Sequence, residues 1–334
     1  RNRRSGGGLL VVPTLRSRSA GRPGGPCDSG GAMAASGSRK AILAALTANA
    51  GIAVAKFLGF LVTQSSAMLA EAVHSVADMS NQGLLLLGGR RSRREPTATH
   101  PFGYGRERYF WSFVVAVVLF SVGSAFAVYE GIEKVRHPHE IRSVGWALAI
   151  LGTGIVLEAW SFRTAIVAAS PERRGLSWRK FILQTRNPEL PVILLEDAGA
   201  LFGLIIAAAS VSLSAATDQP RWDGVGTILI GLLLGAIAAV LAREMKSLLI
   251  GESADDGDRK AILAAIGETP GVSSVVHLRT QHLGPDEILV GARVAFDPDL
   301  DVAAVAAVVD DVEERVRAVV PAAHPIYVEP ANPA

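Results

Sequence analysis

The sequence is poor in charged residues and contains a single cysteine, Cys27. Charged residues occupy 19% of the 334 positions, whereas soluble domains carry about 25%. One cysteine excludes intramolecular disulfide frameworks and cysteine-based zinc sites. The formal net charge of +2 is too small to indicate a nucleic-acid partner.

Motifs of the common enzyme classes are missing as well. The sequence has no GxSxG nucleophile turn, no phosphate-binding P-loop and no HExxH helix. The element GYGRER, residues 103–108, lacks the spacing and the preceding strand of a dinucleotide-binding fingerprint. We therefore expect neither an enzymatic activity nor a bound cofactor.

Long apolar runs are abundant, and the mean hydropathy is +0.32. A helix needs about 20 apolar residues to cross about 30 Å of hydrocarbon. Six segments reach that length, at residues 41–62, 66–88, 109–131, 144–168, 191–214 and 224–242. The sequence predicts an α-helical membrane protein whose six transmembrane helices occupy residues 39–250.

Basic residues concentrate in the loops on one side of these spans. They comprise Arg39 and Lys40; Arg90, Arg91, Arg93, Arg94, Arg106 and Arg108; Arg173, Arg174, Arg179, Lys180 and Arg186; and Arg243 and Lys246. The positive-inside rule places these loops, and both chain termini, in the cytoplasm.

Residues 1–38 are rich in Arg, Gly, Pro and Ser and have no sizeable apolar face. This composition predicts disorder. The segment is interpreted either as a basic leader or as an over-extended reading frame whose true start is Met33. The Ala-, Gly- and Arg-rich usage favours a bacterial inner membrane as the location.

The chemistry of the chain changes at about residue 251. The segments that follow read as a helix, two strands joined at GPD, a second helix and a last short strand. This order predicts a cytoplasmic α+β domain of the ferredoxin-like (αββαβ) type at residues 251–330. Since a domain this small has a marginal core, we expect it to form a homodimer.

The second span carries a polar stripe in the stretch EAVHSVADMSNQ, residues 71–82. At 100° per residue, Glu71, His74, Asp78 and Gln82 fall within about 80° of arc, and Asn81 borders them. Ionisable groups at bilayer depth face a partner or a water-filled cavity. His74 and Asp78, four residues apart, could hold one divalent cation; the alternative is polar contact between helices.

The fifth span contains adjacent acids, Glu196 and Asp197. Because neighbouring helical residues point 100° apart, at most one can aim squarely at the second span. The alternative is a structural ion pair with a membrane cation such as Lys56. Glu158 in the fourth span is interpreted as a packing charge.

Three motifs together resemble the cation diffusion facilitator family: HSVAD in the second span, HPFGYGRERYFW after it, and HLRTQHLGP in the C-terminal domain. The segment NPELPVILLEDAGALFG is most similar to the branch that contains the mitochondrial-type zinc transporter of animals. The resemblance implies a homodimer that exchanges Zn²⁺ or a related divalent ion for protons.

The resemblance also implies a metal site midway through the membrane. His74 and Asp78 match its ligands on the second helix, and Asp197, or Glu196, matches a ligand on the fifth. Ile193 then stands where the family has a further ligand, and Glu71 or Asn81 is a candidate accessory ligand. His100 and His277 match subsidiary metal sites, but Tyr104, Tyr327 and Glu329 stand where other ligands are expected.

The predicted function is therefore export of divalent metal cations, Zn²⁺ first among them, from the cytoplasm in exchange for protons. His74 is the expected coupling group, because an unperturbed imidazole has a pKa of about 6.5. The alternative is a membrane scaffold or regulator with a vestigial metal site.

Overall fold

A computed structural model describes residues 50–141, 143–173, 175–185 and 189–332. The predictions for residues 1–38, and for the start of the first span up to residue 49, lie outside the described residues. The loop positions Arg142, Arg174 and Arg186, which bear on the predicted orientation, lie outside them too.

Ten α-helices and three strands make up the described part of the chain. The helices are α1 (Ala50–Thr63), α2 (Ser66–Ser92), α3 (Glu107–Val118), α4 (Phe126–Arg136), α5 (Val144–Ala169), α6 (Trp178–Gln184), α7 (Glu189–Thr217), α8 (Arg221–Ile250), α9 (Asp256–Gly267) and α10 (Val302–Val319). The strands are β1 (Val272–Gly284), β2 (Glu287–Phe296) and β3 (Ala323–Pro330).

Four helical stretches are long and apolar enough to cross a membrane among the described residues, where the sequence predicts six spans. They are Glu107–Arg136, Val144–Ala169, Glu189–Thr217 and Arg221–Ile250. The helix α2 is long enough, but its polar stripe and terminal arginines lower its hydropathy. The helix α1 is described only over Ala50–Thr63. The chain is thus a helical, multi-pass membrane protein.

The third of the predicted spans is not a uniform α-helix. Residues Leu119–Ala125 form a π-helical segment that joins α3 to α4 without a break. Just beyond it, α4 packs backbone to backbone against α8. A Cβ at Gly131 would lie 2.7 Å from the amide nitrogen of Ile228, so only glycine permits this approach.

The first two helices are joined by a two-residue turn. Gln64 adopts a left-handed conformation with φ of 57°, and Ser65 caps α2 by accepting a hydrogen bond from Met68 N. Asp223 at the start of α8 accepts a 2.7 Å bond from Ser65 Oγ and a 2.9 Å bond from Ser66 N. A buried carboxylate thereby fixes the N-terminus of α2, where its negative charge complements the helix dipole.

The C-terminal domain has the predicted αββαβ order. Asp255 caps α9 and Asp301 caps α10, each accepting a hydrogen bond from the backbone three residues on. The strand β2 pairs antiparallel with β1 and parallel with β3, in the order β1-β2-β3. Both helices pack against one face of this sheet around a core that includes Ile262, Ile266, Val290, Val294, Val312 and Val316.

The C-terminal domain touches the membrane domain at the loop between α2 and α3. A Cβ at Gly105 would lie 2.7 Å from the carbonyl oxygen of Leu283 in β1. Arg108 lies 3.5 Å from Asp286 in the β1–β2 turn and 3.6 Å from Glu189, the first residue of α7. The small domain therefore lies at the end of the bundle where α2 ends and α7 begins.

Candidate metal-binding site

The polar stripe of α2 lies inside the helix bundle. Glu71, His74 and Asn81 are buried, and the side chain of Asp78 is 19% exposed. The same face of α2 carries small residues such as Ala67, Ala70 and Ala77, which let neighbouring helices come close. A helix with ionisable groups on its buried side is the arrangement that the sequence pattern predicts.

His74 and Asp78 form the centre of the site. His74 Nε2 lies 3.4 Å from Asp78 Oδ2, but the contact does not have hydrogen-bond geometry. Within the described part of the chain, the two ring nitrogens of His74 have no hydrogen-bond partner. The same is true of Asp78 Oδ1. Buried polar atoms are almost always paired, so unpaired lone pairs on adjacent side chains favour a bound cation or water.

The α7 side of the site is supplied by Glu196. Asn81 Nδ2 donates a 2.7 Å hydrogen bond to Glu196 Oε1, and Glu196 is only 6% exposed. Glu196 is also close enough to Asp78 to interact electrostatically. The sequence puts Asp197 first among the acids of this helix, whereas the geometry brings Glu196 to the polar stripe.

Asp197 faces the neighbouring helix α5. It is half-buried and accepts a 2.9 Å hydrogen bond from Ser161 Oγ. It still lies within electrostatic range of Asp78. Ile193, one turn before Asp197, is 37% exposed on the surface of the bundle. The isoleucine thus does not leave a gap opposite α2, because that position belongs to the outer face of α7.

Glu71 is held by a lysine of α1. Lys56 Nζ lies 3.2 Å from Glu71 Oε2, and both side chains are buried. The second oxygen, Oε1, has no hydrogen-bond partner among the described residues and lies against α7. A Cβ at Gly203 would come within 2.5 Å of it, so this glycine makes room for the carboxylate. The alternative interpretation, in which Lys56 pairs with an acid of α7, is therefore not what the structure shows, because Lys56 pairs with Glu71 of α2.

Glu158, interpreted from the sequence as a packing charge, lies within electrostatic range of the polar stripe. This half-buried carboxylate of α5 interacts electrostatically with Lys56, Asp78 and Asp197. Its position three residues before Ser161, on one face of α5, is a pattern that could have indicated it. The α5 carboxylate extends the polar region from α2 toward the α5–α7 pair.

No group of three or more His, Cys, Asp or Glu side chains reaches metal-binding geometry within the described ranges. His74 and Asp78 on α2 are close together, while Glu196 is oriented by Asn81. A coordination sphere with a third protein ligand would therefore require Glu196 or Glu71 to move from this conformation.

The accessory histidines are apart from this region. His100 lies in the loop after α2, where its ring stacks on Tyr104 at 4.6 Å between centroids. His277 Nε2 accepts a 2.8 Å hydrogen bond from Arg279 Nε, so that lone pair is occupied in this conformation. Glu329 lies 3.2 Å from Arg293. These contacts favour ordinary polar roles for both histidines.

Comparison with known proteins supports the resemblance noted in the sequence. A profile described as "Cation efflux transmembrane domain" matches residues 42–250, and one described as "Cation efflux protein, cytoplasmic domain" matches residues 254–331.

Curated relatives include proteins of animals, plants and bacteria. The "Proton-coupled zinc antiporter SLC30A9, mitochondrial" of Xenopus laevis is 34% identical over 78% of this chain and 47% of its own. The human protein of the same name is 34% identical, and the match covers 78% of this chain and 46% of the human protein. "Metal tolerance protein C4" of Arabidopsis thaliana is 32% identical, and the match covers 78% of this chain and 57% of the plant protein. The chain thus spans about half the length of these relatives.

Among solved structures, a nickel form of the C-terminal domain of MamM is 21% identical, with a TM-score of 0.23, and covers 24% of this chain and 100% of that one.

The profile matches extend over most of the chain and include both the helical bundle and the small α+β domain. On this evidence, the chain belongs to the cation efflux, or cation diffusion facilitator, family, in the branch of the SLC30A9-type and metal tolerance proteins.

Proposed function

We propose that the protein is a secondary active transporter that exports divalent metal cations, Zn²⁺ first among them, from the cytoplasm in exchange for protons. The observation that carries this proposal is the pair of ligand-type side chains His74 and Asp78 near Glu196. Both ring nitrogens of His74 and Oδ1 of Asp78 are buried and have no hydrogen-bond partner among the described residues. Substrate and counter-ion are those in the names of the animal relatives.

The proposed cation site lies between α2 and α7, with His74, Asp78 and Glu196 as ligands. Glu71 and Asp197 are the carboxylates within reach if the helices shift. Imidazole and carboxylate ligands suit Zn²⁺, and a site richer in oxygen also admits Mn²⁺, Fe²⁺ or Co²⁺. Since the ligands bind a metal only when deprotonated, cation binding releases protons and cation release takes them up.

The proposed topology has six membrane-spanning helices, because α1 and α2 join the four apolar stretches. Ionisable residues are acceptable in α2, since they face the bundle interior and not lipid. Both termini would be cytoplasmic, and the C-terminal domain would pair with that of a second copy. A bacterial inner membrane is the proposed location. No covalent chemistry and no resident cofactor are required.

A scaffold or regulator without transport is the second candidate. Its support is the lack, among the described residues, of three side chains in metal-binding geometry. Saturable metal binding by the purified protein distinguishes the two candidates, because a vestigial site would bind no metal.

The test of the proposed transport is cation uptake into liposomes that contain the purified protein and carry a pH gradient. Zn²⁺ uptake that depends on the gradient and is lost in His74→Ala is expected. Competition by Mn²⁺, Co²⁺, Fe²⁺ and Cd²⁺ ranks the substrates. Uptake that is unchanged in His74→Ala would overturn the assignment of the site.

A further inference from the structure

We propose that Lys56 is the resident counter-cation of the intramembrane site and weakens the binding of the substrate cation, so that the cation can be released. The inference rests on the proposed function and names a residue that sets substrate affinity. It follows from the ion pair between Lys56 and Glu71, which joins α1 to the polar stripe of α2.

The ammonium group of Lys56 is buried beside a carboxylate. Lys56 is 2% exposed and its Nζ lies 3.2 Å from Glu71 Oε2. A buried charge is costly unless it is paired, and a buried ion pair is a weak source of stability. Folding stability therefore does not account for a lysine inside an apolar bundle. A role at the neighbouring carboxylates does account for it.

The charge of Lys56 also acts on groups other than Glu71. Lys56 interacts electrostatically with His74, Asp78 and Glu158 in addition to its partner Glu71. These groups belong to two helices, α2 and α5, while Lys56 itself belongs to α1. While no metal is bound, the ammonium offsets part of the mutual repulsion among the carboxylates. It takes the place that the positive charge of a substrate cation would otherwise fill.

One oxygen of the Glu71 carboxylate is bound to Lys56. The other has no hydrogen-bond partner in the part of the chain that the structure describes, and it lies against α7 in the space left by Gly203. Glu71 lies one turn from His74 on the same face of α2. A divalent cation at His74 and Asp78 would attract this carboxylate and repel the ammonium. Cation and lysine thus compete for Glu71, and the competition requires no proton transfer.

The consequence concerns affinity. A fixed positive charge near a divalent cation lowers the affinity of the site for that cation by electrostatic repulsion, even at the effective dielectric of a protein interior. A transporter gains from this, because a site that binds too tightly releases its substrate slowly. Removal of the charge should strengthen binding and slow turnover.

Zinc binding to the full-length protein in detergent micelles tests the inference by isothermal titration. Lys56→Met and Lys56→Gln should lower the Zn²⁺ dissociation constant about tenfold or more. Lys56→Arg retains the charge and should stay within about threefold of wild type. In liposomes, Lys56→Gln should lower both KM and kcat, since tighter binding delays release.

A matched control is available in Lys134. This lysine is also buried in the bundle, but its charged neighbours are Asp223 and Glu130 and not the residues of the site. Lys134→Met should leave the Zn²⁺ dissociation constant within about threefold of wild type. A tenfold change in this variant would show that any buried lysine alters binding, and would overturn the specific role of Lys56.

Lys56→Met leaves Glu71 unpaired, which threatens folding. The substitution Lys56→Gln is therefore also made in a Glu71→Gln background, where no carboxylate is left without a partner. The inference expects tighter Zn²⁺ binding on loss of the lysine in both backgrounds. Unchanged or weaker binding in the variants that fold would overturn it. If the wild type shows no saturable Zn²⁺ binding dependent on His74, the proposed function itself fails.

Discussion

Asn81 of α2 donates a 2.7 Å hydrogen bond to Glu196 of α7, across 115 positions of sequence. The bond fixes the carboxylate of Glu196 at the polar stripe, whereas the neighbouring Asp197 is bonded to Ser161 of α5. The two adjacent acids therefore have different partners and, in our account, different roles.

Glu196→Gln should weaken Zn²⁺ binding at least tenfold, since a carboxylate ligand is replaced by a neutral amide. Asp197→Asn is the matched comparison and should have a smaller effect, because its hydrogen bond from Ser161 can be kept by the amide oxygen. Isothermal titration of both variants measures the difference. A larger loss in Asp197→Asn would assign the α7 ligand to that residue instead.

Gly203→Ala should disturb the site from the α7 side. The added methyl group would lie 2.5 Å from Glu71 Oε1, so the carboxylate or the helix must move. Overpacking of this kind costs about 1–3 kcal/mol. We expect a lower thermal unfolding temperature in detergent and a lower rate of Zn²⁺ uptake.

The control for this substitution is Gly152→Ala in α5, where a Cβ would meet nothing within 4 Å. Alanine there should be neutral or stabilise the helix by up to about 1 kcal/mol. Equal effects of the two substitutions would mean that the close approach of Gly203 to Glu71 has no functional consequence.

Asp223→Ala should destabilise the helix bundle, although Asp223 is not one of the proposed metal ligands. Asp223 is fully buried and accepts hydrogen bonds from Ser65 Oγ, Ser66 N and Ser66 Oγ. Loss of this carboxylate removes the shared acceptor of these buried donors and the ion-pair partner of Lys134, at a cost of about 3–5 kcal/mol. Thermal unfolding measures the loss, and Asp218→Asn, at an exposed turn position, serves as the control. An unfolding temperature equal to that of the control would contradict the capping role.

Gly105→Ala should loosen the C-terminal domain from the membrane domain. The new Cβ would lie 2.7 Å from the carbonyl oxygen of Leu283 and 3.1 Å from Gly284 Cα, and both are backbone atoms that cannot rotate away. We expect faster hydrogen exchange of the amides in the β1–β2 turn, read by mass spectrometry. Gly267→Ala in α9, where nothing lies within 4 Å, should leave that exchange unchanged.

Much of the C-terminal domain could be predicted from the sequence, because its determinants are local. Alternating apolar residues define β1 and β2, and Asp255 and Asp301 mark the helix starts by their own hydrogen bonds. The αββαβ order follows from these features and is confirmed. The strand order and the parallel pairing of β2 with β3 come from tertiary packing.

The membrane domain was less predictable for two physical reasons. The rotation of α7 about its axis, which decides between Glu196 and Asp197, is set by packing partners that lie far away in the sequence. The π-helical segment Leu119–Ala125 contains no proline and looks like an ordinary apolar run. The ion pair of Lys56 with Glu71 likewise depends on how α1 lies against α2.

The family resemblance, by contrast, rests on short motifs and is confirmed by the matches to residues 42–250 and 254–331. The ligand set it implies stays a prediction. The structure favours Glu196 over Asp197 as the acid of α7 that faces α2, since Glu196 is hydrogen-bonded to Asn81. Ile193 lies on the outer face of α7.

The central claim is that the polar stripe of α2 binds the transported cation, and Asp78 tests it most directly. Zn²⁺ uptake into liposomes under a pH gradient should fall to background in Asp78→Ala, while the exposed Asp218→Ala should transport like wild type. Uptake by Asp78→Ala equal to that of wild type would contradict the account.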